Sequence, residues 1–494
     1  MLIVGAGLSG VAAAYHLQTR CPGKSYAILE GREAIGGTWD LFRYPGVRSD
    51  SDMHTLGYAF RPWHTDKSIV DGPSILSYVR ETASTFGIDR KIRFNQSVTR
   101  ASWSSSEALW TLEASVGSEK TPARYTCSFV FMCSGYYDYA GGYTPEWPDA
   151  ERYRGRLVHP QQWPQDLDYA GKRVVLIGSG ATAVTLAPEM AKTAAHVTML
   201  QRSPTYIVAR PATDPLAKWV QARLPKKLGG AIVRWKNVLF GMYFYGLSRR
   251  RPDKMKRDII DLIRGHLGHE YDVDTHFTPK YDPWDQRMCL VPDADLFSAI
   301  KSGSISVATD YIERFTETGL RLQSGKEIEA DIVVTATGLK MQLMGGMSIV
   351  VDGAPVRLAK LLMYKGMMYS DVPNFASALG YTNASWTLKC ELTAEYVCRL
   401  LNYMDRREYA YCVPRRNESS ITEVPALNLT SGYVLRAEGY MPKQGSRTPW
   451  RLHQNYVFDL ALLRFGKLAD GTMKFKRVKG KRGAVKSRRR SIGK

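Results

Sequence analysis

The first thirty residues constrain this chain most. Leu2-Ile3-Val4 reads as a strand, Gly5-Ala6-Gly7-Leu8-Ser9-Gly10 as a turn opening a helix, and Ala27-Ile28-Leu29 as a second strand ending at Glu30. Gly5 permits the tight turn out of the strand. Gly7 lets backbone approach a pyrophosphate, and Gly10 lets the helix pack closely on the strand. The helix N-terminus, Ser9 included, turns free N–H groups and a positive dipole end toward phosphates. Glu30, 20 residues beyond Gly10, stands where a carboxylate accepts hydrogen bonds from ribose hydroxyls. Strand, turn, helix and acid in register predict a dinucleotide-binding fold. Only three residues stand ahead of the turn after Met1, so we expect a longer native N-terminus.

A second motif lies further along. Arg173–Ile177 reads as a strand, then Gly178-Ser179-Gly180-Ala181-Thr182-Ala183 opens a helix, and Val197–Leu200 reads as the next strand. Alanine takes the third glycine position. Gln201-Arg202 follows where the first motif has its acid, and a guanidinium suits a 2′-phosphate. We therefore expect NADP here rather than NAD, the plain alternative being a solvent-facing arginine at a strand end. One motif with a ribose-binding acid and one with arginine point to FAD plus NADPH. Hydride then passes from nicotinamide to flavin, which needs an acceptor. The seven cysteines form no CxxC or CxxxxC pair, so a disulfide reductase is excluded and oxygen is the expected acceptor.

The fold class follows: α/β, with two dinucleotide-binding, Rossmann-like domains, a helical insertion, and a discontinuous FAD domain. The first part of the FAD domain is assigned to 1–140, an interdomain linker to 141–168, and the first part of the NADP domain to 169–206. The insertion takes 207–287, the second part of the NADP domain 288–345, the FAD-domain return 346–475, and a basic disordered tail 476–494. Gly36–Asp50 is too rich in Gly, Pro and charge for a helix or strand. It reads as a loop wrapped on a ligand, with Gly37, Thr38, Trp39, Asp40, Arg48, Ser49 and Asp50 as cofactor-side candidates; the alternative is a surface loop. Val98 is a further candidate on the strand that follows. Residues 75–87 have helical spacing, Ile92–Val98 alternates as a strand, and 103–132 reads as a meander ending in a buried strand. Ile232–Ser248 and Lys256–Leu267 read as helices, as does Leu392–Met404, and 412–429 as a loop.

The net charge of +21 suggests nucleic acid or anionic membrane. Eleven Lys/Arg and no acid fall between Lys474 and Lys494, however, leaving only +10 for the rest. The tail accounts for any weak peripheral membrane or RNA contact, and no specific nucleic-acid partner is expected. An odd cysteine count in a long chain, with no visible signal peptide, places the protein in a reducing cytoplasm. The apolar stretch Val238–Leu247 is far short of the roughly 20 residues a spanning helix needs. It suits core packing, a substrate-channel wall, or a membrane interface.

Tyr153-Arg154-Gly155-Arg156-Leu157-Val158-His159-Pro160-Gln161-Gln162-Trp163-Pro164 resembles the FxGxxxHxxxWP fingerprint of type I Baeyer–Villiger monooxygenases, with Tyr153 in place of Phe. Gly36–Asp50 is similar to that family's GGTW…RYPG…D stretch. The likeness covers nearly the whole chain and is closest to the family's mycobacterial ethionamide-activating branch. It implies NADPH- and oxygen-dependent insertion of one oxygen atom next to a ketone carbonyl, through a C4a-peroxyflavin. Sulfur oxidation of thioamides or sulfides is implied as well. By resemblance Arg287, in Asp282-Pro283-Trp284-Asp285-Gln286-Arg287, stabilises the peroxide, and Asp50 holds and tunes that arginine. A permanent cation beside a peroxide anion is the physical sense of that assignment; a purely structural ion pair is the alternative. His159 and Trp163 are expected to govern domain movement and NADPH positioning. Two other readings stay open: an N- or S-hydroxylating flavin monooxygenase, and a non-catalytic flavoprotein recruited to membrane or RNA by its tail.

Overall fold

The computed structural model describes residues 1–416 and 421–478. Two five-stranded parallel sheets carry the glycine turns. In the first, the order is Phe375–Ser377, Val130–Met132, Leu2–Val4, Ala27–Leu29, Ile92–Arg93. In the second it is Ile305–Thr309, His196–Gln201, Arg173–Ile177, Ile332–Thr335, Arg156–Val158. In each, the strand feeding the glycine turn is central, with its sequence successor on one side and a later strand on the other. The strand order reverses there, and the crevice at the carboxyl ends of the strands is where such sheets take ligands. The apolar runs suit strands covered on both faces: Leu176, Val333 and Val334 have no exposed surface.

Phe375–Ser377 completes the first sheet from far along the chain, so the first domain is discontinuous. Helix Trp386–Arg406 then packs on helix Leu8–Arg20, and Arg20 pairs with Glu395 at 2.8 Å. A second, largely antiparallel sheet of strands Gln96–Ser104, Leu109–Val116 and Thr121–Cys127, extended by Ser348–Val351, forms the expected meander. The insertion leaves and returns through a parallel pair, Ile207–Arg210 with Cys289–Pro292. Between them lie helices Pro215–Arg223, Lys226–Arg250, Pro252–Leu267 and Val273–Phe277. None of the helices among the described residues is long and apolar enough to cross a membrane.

Several local expectations differ. Gly36–Asp50 contains one helical turn, Thr38–Leu41, whose N–H groups bond back to Gly36 and Gly37 carbonyls. The stretch 412–429 contains strand residues: Tyr411–Pro414 pairs with Met473–Lys476, and Glu423–Pro425 with Lys443–Gly445. The first pairing moves the start of the basic tail, because Lys476 ends a strand and Arg477 donates to the Arg407 carbonyl at 2.9 Å. The remainder of the tail, 479–494, lies outside the described residues.

Candidate active site

Two glycine turns with nearly the same backbone build two different places. Gly7 caps its helix at φ −81°, ψ −167°, and Gly180 at φ −81°, ψ −174°; neither helix has a side-chain cap, so both present free N–H groups. Gly5 at φ +105° and Gly178 at φ +138° make the sharp exits. A Cβ on Gly5 would sit 2.5 Å from the Cys133 carbonyl oxygen, and one on Gly178 2.4 Å from that of Ala336, so neither tolerates a side chain.

A cavity of about 640 Å³ runs from the first turn toward the second domain. Gly5, Gly7, Ser9 and Glu30 line its far end, with Gly37, Thr38, Trp39 and Val98 beside them. Arg48, Ser49 and Asp50 line the middle, and Ala181 and Thr182 of the second turn reach its near side. Glu30 is buried and accepts from the Ala6 N–H at 2.6 Å and the Arg32 N–H at 2.9 Å. Burial raises its carboxyl above the ordinary range, against those two donors. The Ser9 hydroxyl accepts from Trp386 Nε1 at 3.0 Å and donates to Cys390 Sγ at 3.2 Å, anchoring the return helix on the turn. Arg48 binds Asp295 at 2.6 Å, while its Nε is buried without a partner. Donor-rich helix end, bare glycine backbone, ribose-side acid and aromatic walls together fit a flavin dinucleotide.

Other expected residues stand elsewhere. Asp40 is buried beneath the loop, where Arg32, Arg80 and Arg43 donate to its carboxylate at 2.6, 2.9 and 3.4 Å. Gln201 is buried and its amide donates to the His276 carbonyl at 2.7 Å and to Thr309 Oγ1 at 2.9 Å. Three guanidiniums thus hold the Asp40 carboxylate, and two acceptors take the Gln201 side-chain N–H groups. Gly10 and Ala183 are buried packing positions. Gly178, Ser179 and Gly180 sit outside the 640 Å³ cavity, and Arg202 is exposed. A Cβ on Gly180 would meet no atom within 4 Å, so that turn opens to solvent.

Asp50 and Arg287, 237 residues apart, meet in two bonds: Nε to Oδ2 at 3.0 Å and Nη2 to Oδ1 at 3.2 Å. The turn Asp282–Asp285 holds Arg287 in place, since Arg249 pairs with Asp285 at 2.6 Å and the Thr430 N–H donates to the Asp285 carbonyl at 2.8 Å. Asp50 raises the Arg287 pKa further, so the guanidinium is a permanent cation. Arg287 lines the 640 Å³ cavity and two smaller ones, of about 290 and 70 Å³. Tyr381 also lines all three, its hydroxyl donating to Asp459 at 2.7 Å, and Asp459 in turn accepts from Lys389 at 2.7 Å. Tyr136 stacks on Trp386 at 4.9 Å and shares a 2.6 Å hydroxyl contact with Tyr137. Sequence reasoning missed these tyrosines. Tyr136 follows the small residues Ser134-Gly135 that end a sheet strand, a usable signal.

His159 lines none of the three cavities that Arg287 lines. Its Nδ1 accepts from the Gln161 N–H at 3.1 Å and its Nε2 faces the Gly338 carbonyl at 3.3 Å; burial lowers its pKa, which keeps the ring neutral. A Cβ on Gly142 would strike that ring, so His159 sits between Gly142 and Gly338, just past strand Ile332–Thr335. Trp163 packs edge-on against Tyr169 at 6.5 Å. All seven cysteines are free and buried, and burial pushes Cys289, behind the Asp50–Arg287 pair, up to about 12.

The flavin-binding monooxygenase-like family model matches residues 2–261. The chain belongs to that family. A flavin carried on a dinucleotide turn is FAD, so the chain is an FAD monooxygenase. It is 54% identical over 476 residues to the FAD-containing monooxygenase EthA of Mycobacterium tuberculosis H37Rv, covering 96% of this chain and 97% of that one. It is 45% identical over 477 residues to the probable FAD-binding monooxygenase AlmA of Acinetobacter baylyi, covering 96% and 95%. Among solved structures, its fold matches an oxidised steroid monooxygenase bound to NADP at TM-score 0.76, with 22% identity and coverage of 96% and 99%. It also matches cyclohexanone monooxygenase from Rhodococcus at TM-score 0.73, with 19% identity and coverage of 97% and 99%.

Proposed function

We propose that this monooxygenase uses NADPH and oxygen to insert one oxygen atom beside a ketone carbonyl, giving an ester or lactone, and that it also oxygenates the sulfur of thioamides or sulfides. Ketone, oxygen, NADPH and a proton become ester, NADP⁺ and water. The observation that carries this reading is Arg287, pinned by two bonds to Asp50 where three cavities meet. Bound FAD supplies hydride acceptance and oxygen activation. Arg287 holds a fixed cation where negative charge develops on oxygen, and Asp50 keeps the guanidinium from swinging to solvent. The 290 Å³ cavity beside it has apolar walls from Val238, Met242, Phe244, Met288 and Leu388, which suit the apolar part of a substrate. The Gly7 and Ser9 N–H groups receive the FAD pyrophosphate and Glu30 its ribose. Gly178–Thr182 receives the NADPH pyrophosphate, with Arg202 at the 2′-phosphate.

The test is product mass under ¹⁸O₂ with a panel of aliphatic ketones and thioamides, together with NADPH consumed per product. One labelled oxygen in an ester, at close to one NADPH each, is the expected result. Hydroxylated nitrogen or sulfur products with no ester from any ketone would overturn the ketone reading.

A further inference from the structure

The insertion has an outer face that the proposed reaction leaves unused. The described residues contain 17 exposed large hydrophobics, and eight of them fall between Leu216 and Tyr243. On helix Lys226–Arg250, Leu228, Ile232, Trp235, Leu239 and Tyr243 follow at spacings of four, three, four and four, a single stripe. Leu239 is 53% exposed and Tyr243 69%, while Trp219 on the preceding helix is 54% exposed. The opposite side of the long helix is already committed. Gly230 packs on Pro62, and buried Arg234 donates to the His54, Thr55 and Gly57 carbonyls and pairs with Glu391 at 2.8 Å. The outer stripe is therefore a second apolar face, lying largely outside the core. Trp235 meets Tyr456 at 5.7 Å, and the next residues, Val457 and Phe458, are exposed as well.

Charge identifies the occupant. Between Pro215 and Arg251 there are nine Lys/Arg and no Asp or Glu. Arg234, Lys236 and Arg249 are paired with Glu391, Asp214 and Asp285. Lys218, Arg223, Lys226, Lys227, Arg250 and Arg251 are exposed at the two ends of the stripe, with no acid on these helices to oppose them. Aromatic and aliphatic residues flanked by basic ones are what an interfacial helix presents to anionic lipid. A second copy of this chain would bring the same cations against themselves.

We propose that helices Pro215–Arg223 and Lys226–Arg250 dock this protein on an anionic phospholipid bilayer. The stripe enters the headgroup–acyl boundary and the flanking cations meet lipid phosphates. The same helix walls the 290 Å³ cavity through Val238, Gly241, Met242 and Phe244, so docking sets that cavity against the lipid from which an apolar substrate arrives. That last consequence rests on the proposed function; the docking does not.

The test is co-sedimentation of the full-length FAD-loaded protein with phosphatidylcholine vesicles, with and without phosphatidylglycerol. The parent binds the mixed vesicles, more weakly as salt rises. Leu239→Asp/Tyr243→Asp, neither of which lines a cavity, lowers partitioning by roughly tenfold or more. Lys226→Gln/Lys227→Gln lowers it by roughly fivefold per cation lost, on mixed vesicles only. Both variants keep the parent's flavin absorbance and its turnover of a water-soluble substrate, which separates failed docking from failed catalysis. Undiminished binding by the Asp variant would place any membrane contact in the basic C-terminal run and overturn the proposal. So would an absence of parent binding, or a parent dimer that the Asp variant dissolves.

Discussion

The two dinucleotide folds share the order of four of their five strands, glycine-turn geometry and uncapped helices, yet one is closed and the other open. Over the first turn, Gly37 lies close enough that a Cβ on Gly7 would stand 3.6 Å from its Cα, and the Gly36–Asp50 loop roofs the cavity. The Asp40 knot with Arg32, Arg43 and Arg80 pins that roof from below. Over Gly180 there is nothing within 4 Å. The third glycine position differs as well. A Cβ on Gly10 would fall 1.9 Å from the Gly5 oxygen, whereas the second fold accommodates Ala183. On the proposed function the same backbone device would serve two residence times: a buried acid and a roof suit a resident FAD, and an open turn with an exposed arginine suits a nicotinamide that exchanges.

The largest expected effect lies where the two regions meet. Arg287→Ala should cut ester formation by roughly 10²–10³, the cost of losing one charge-stabilising donor of about 2.7–4 kcal/mol. Product and hydrogen peroxide measured per NADPH would show reduction persisting while oxygen escapes as peroxide; normal coupling would remove Arg287 from its role. Next, Gly10→Ala should destabilise the FAD-loaded fold by roughly 1–3 kcal/mol through overpacking. Ala183→Gly should cost only about 1 kcal/mol of helix propensity. Thermal melts and flavin retention measure both, and equal losses would erase the distinction between the turns. Arg202→Ala should lower the preference for NADPH over NADH by at least roughly tenfold, the worth of one charged hydrogen bond. Steady-state KM values for both coenzymes check this. Gly180→Ala should cost only about 0.5–1 kcal/mol, the loss of a favoured N-cap residue, its backbone being extended and its surroundings empty.

The two turns, their strands and the crossing helix were legible because nucleotide binding fixes glycine, strand and acid at set spacings. The insertion helices were legible from apolar periodicity. Asp50 and Arg287 came from resemblance alone, since 237 residues separate them and no local pattern pairs them. Asp40 and Gln201 show what spacing leaves out: their side chains are engaged by Arg32, Arg43 and Arg80 and by His276 and Thr309, partners that no local pattern announces. Strand Tyr411–Pro414 was missed because its partner, Met473–Lys476, runs into the basic stretch that begins at Lys474.

The contrast between the folds is tested most directly by flow dialysis of the purified holoenzyme loaded with NADP⁺, following both nucleotides by absorbance. The closed first fold predicts one FAD per chain retained throughout, while NADP⁺ leaves with the free solute and Arg202→Ala hastens its loss without moving FAD. Loss of FAD alongside NADP⁺, or retention of both at one per chain, would contradict it.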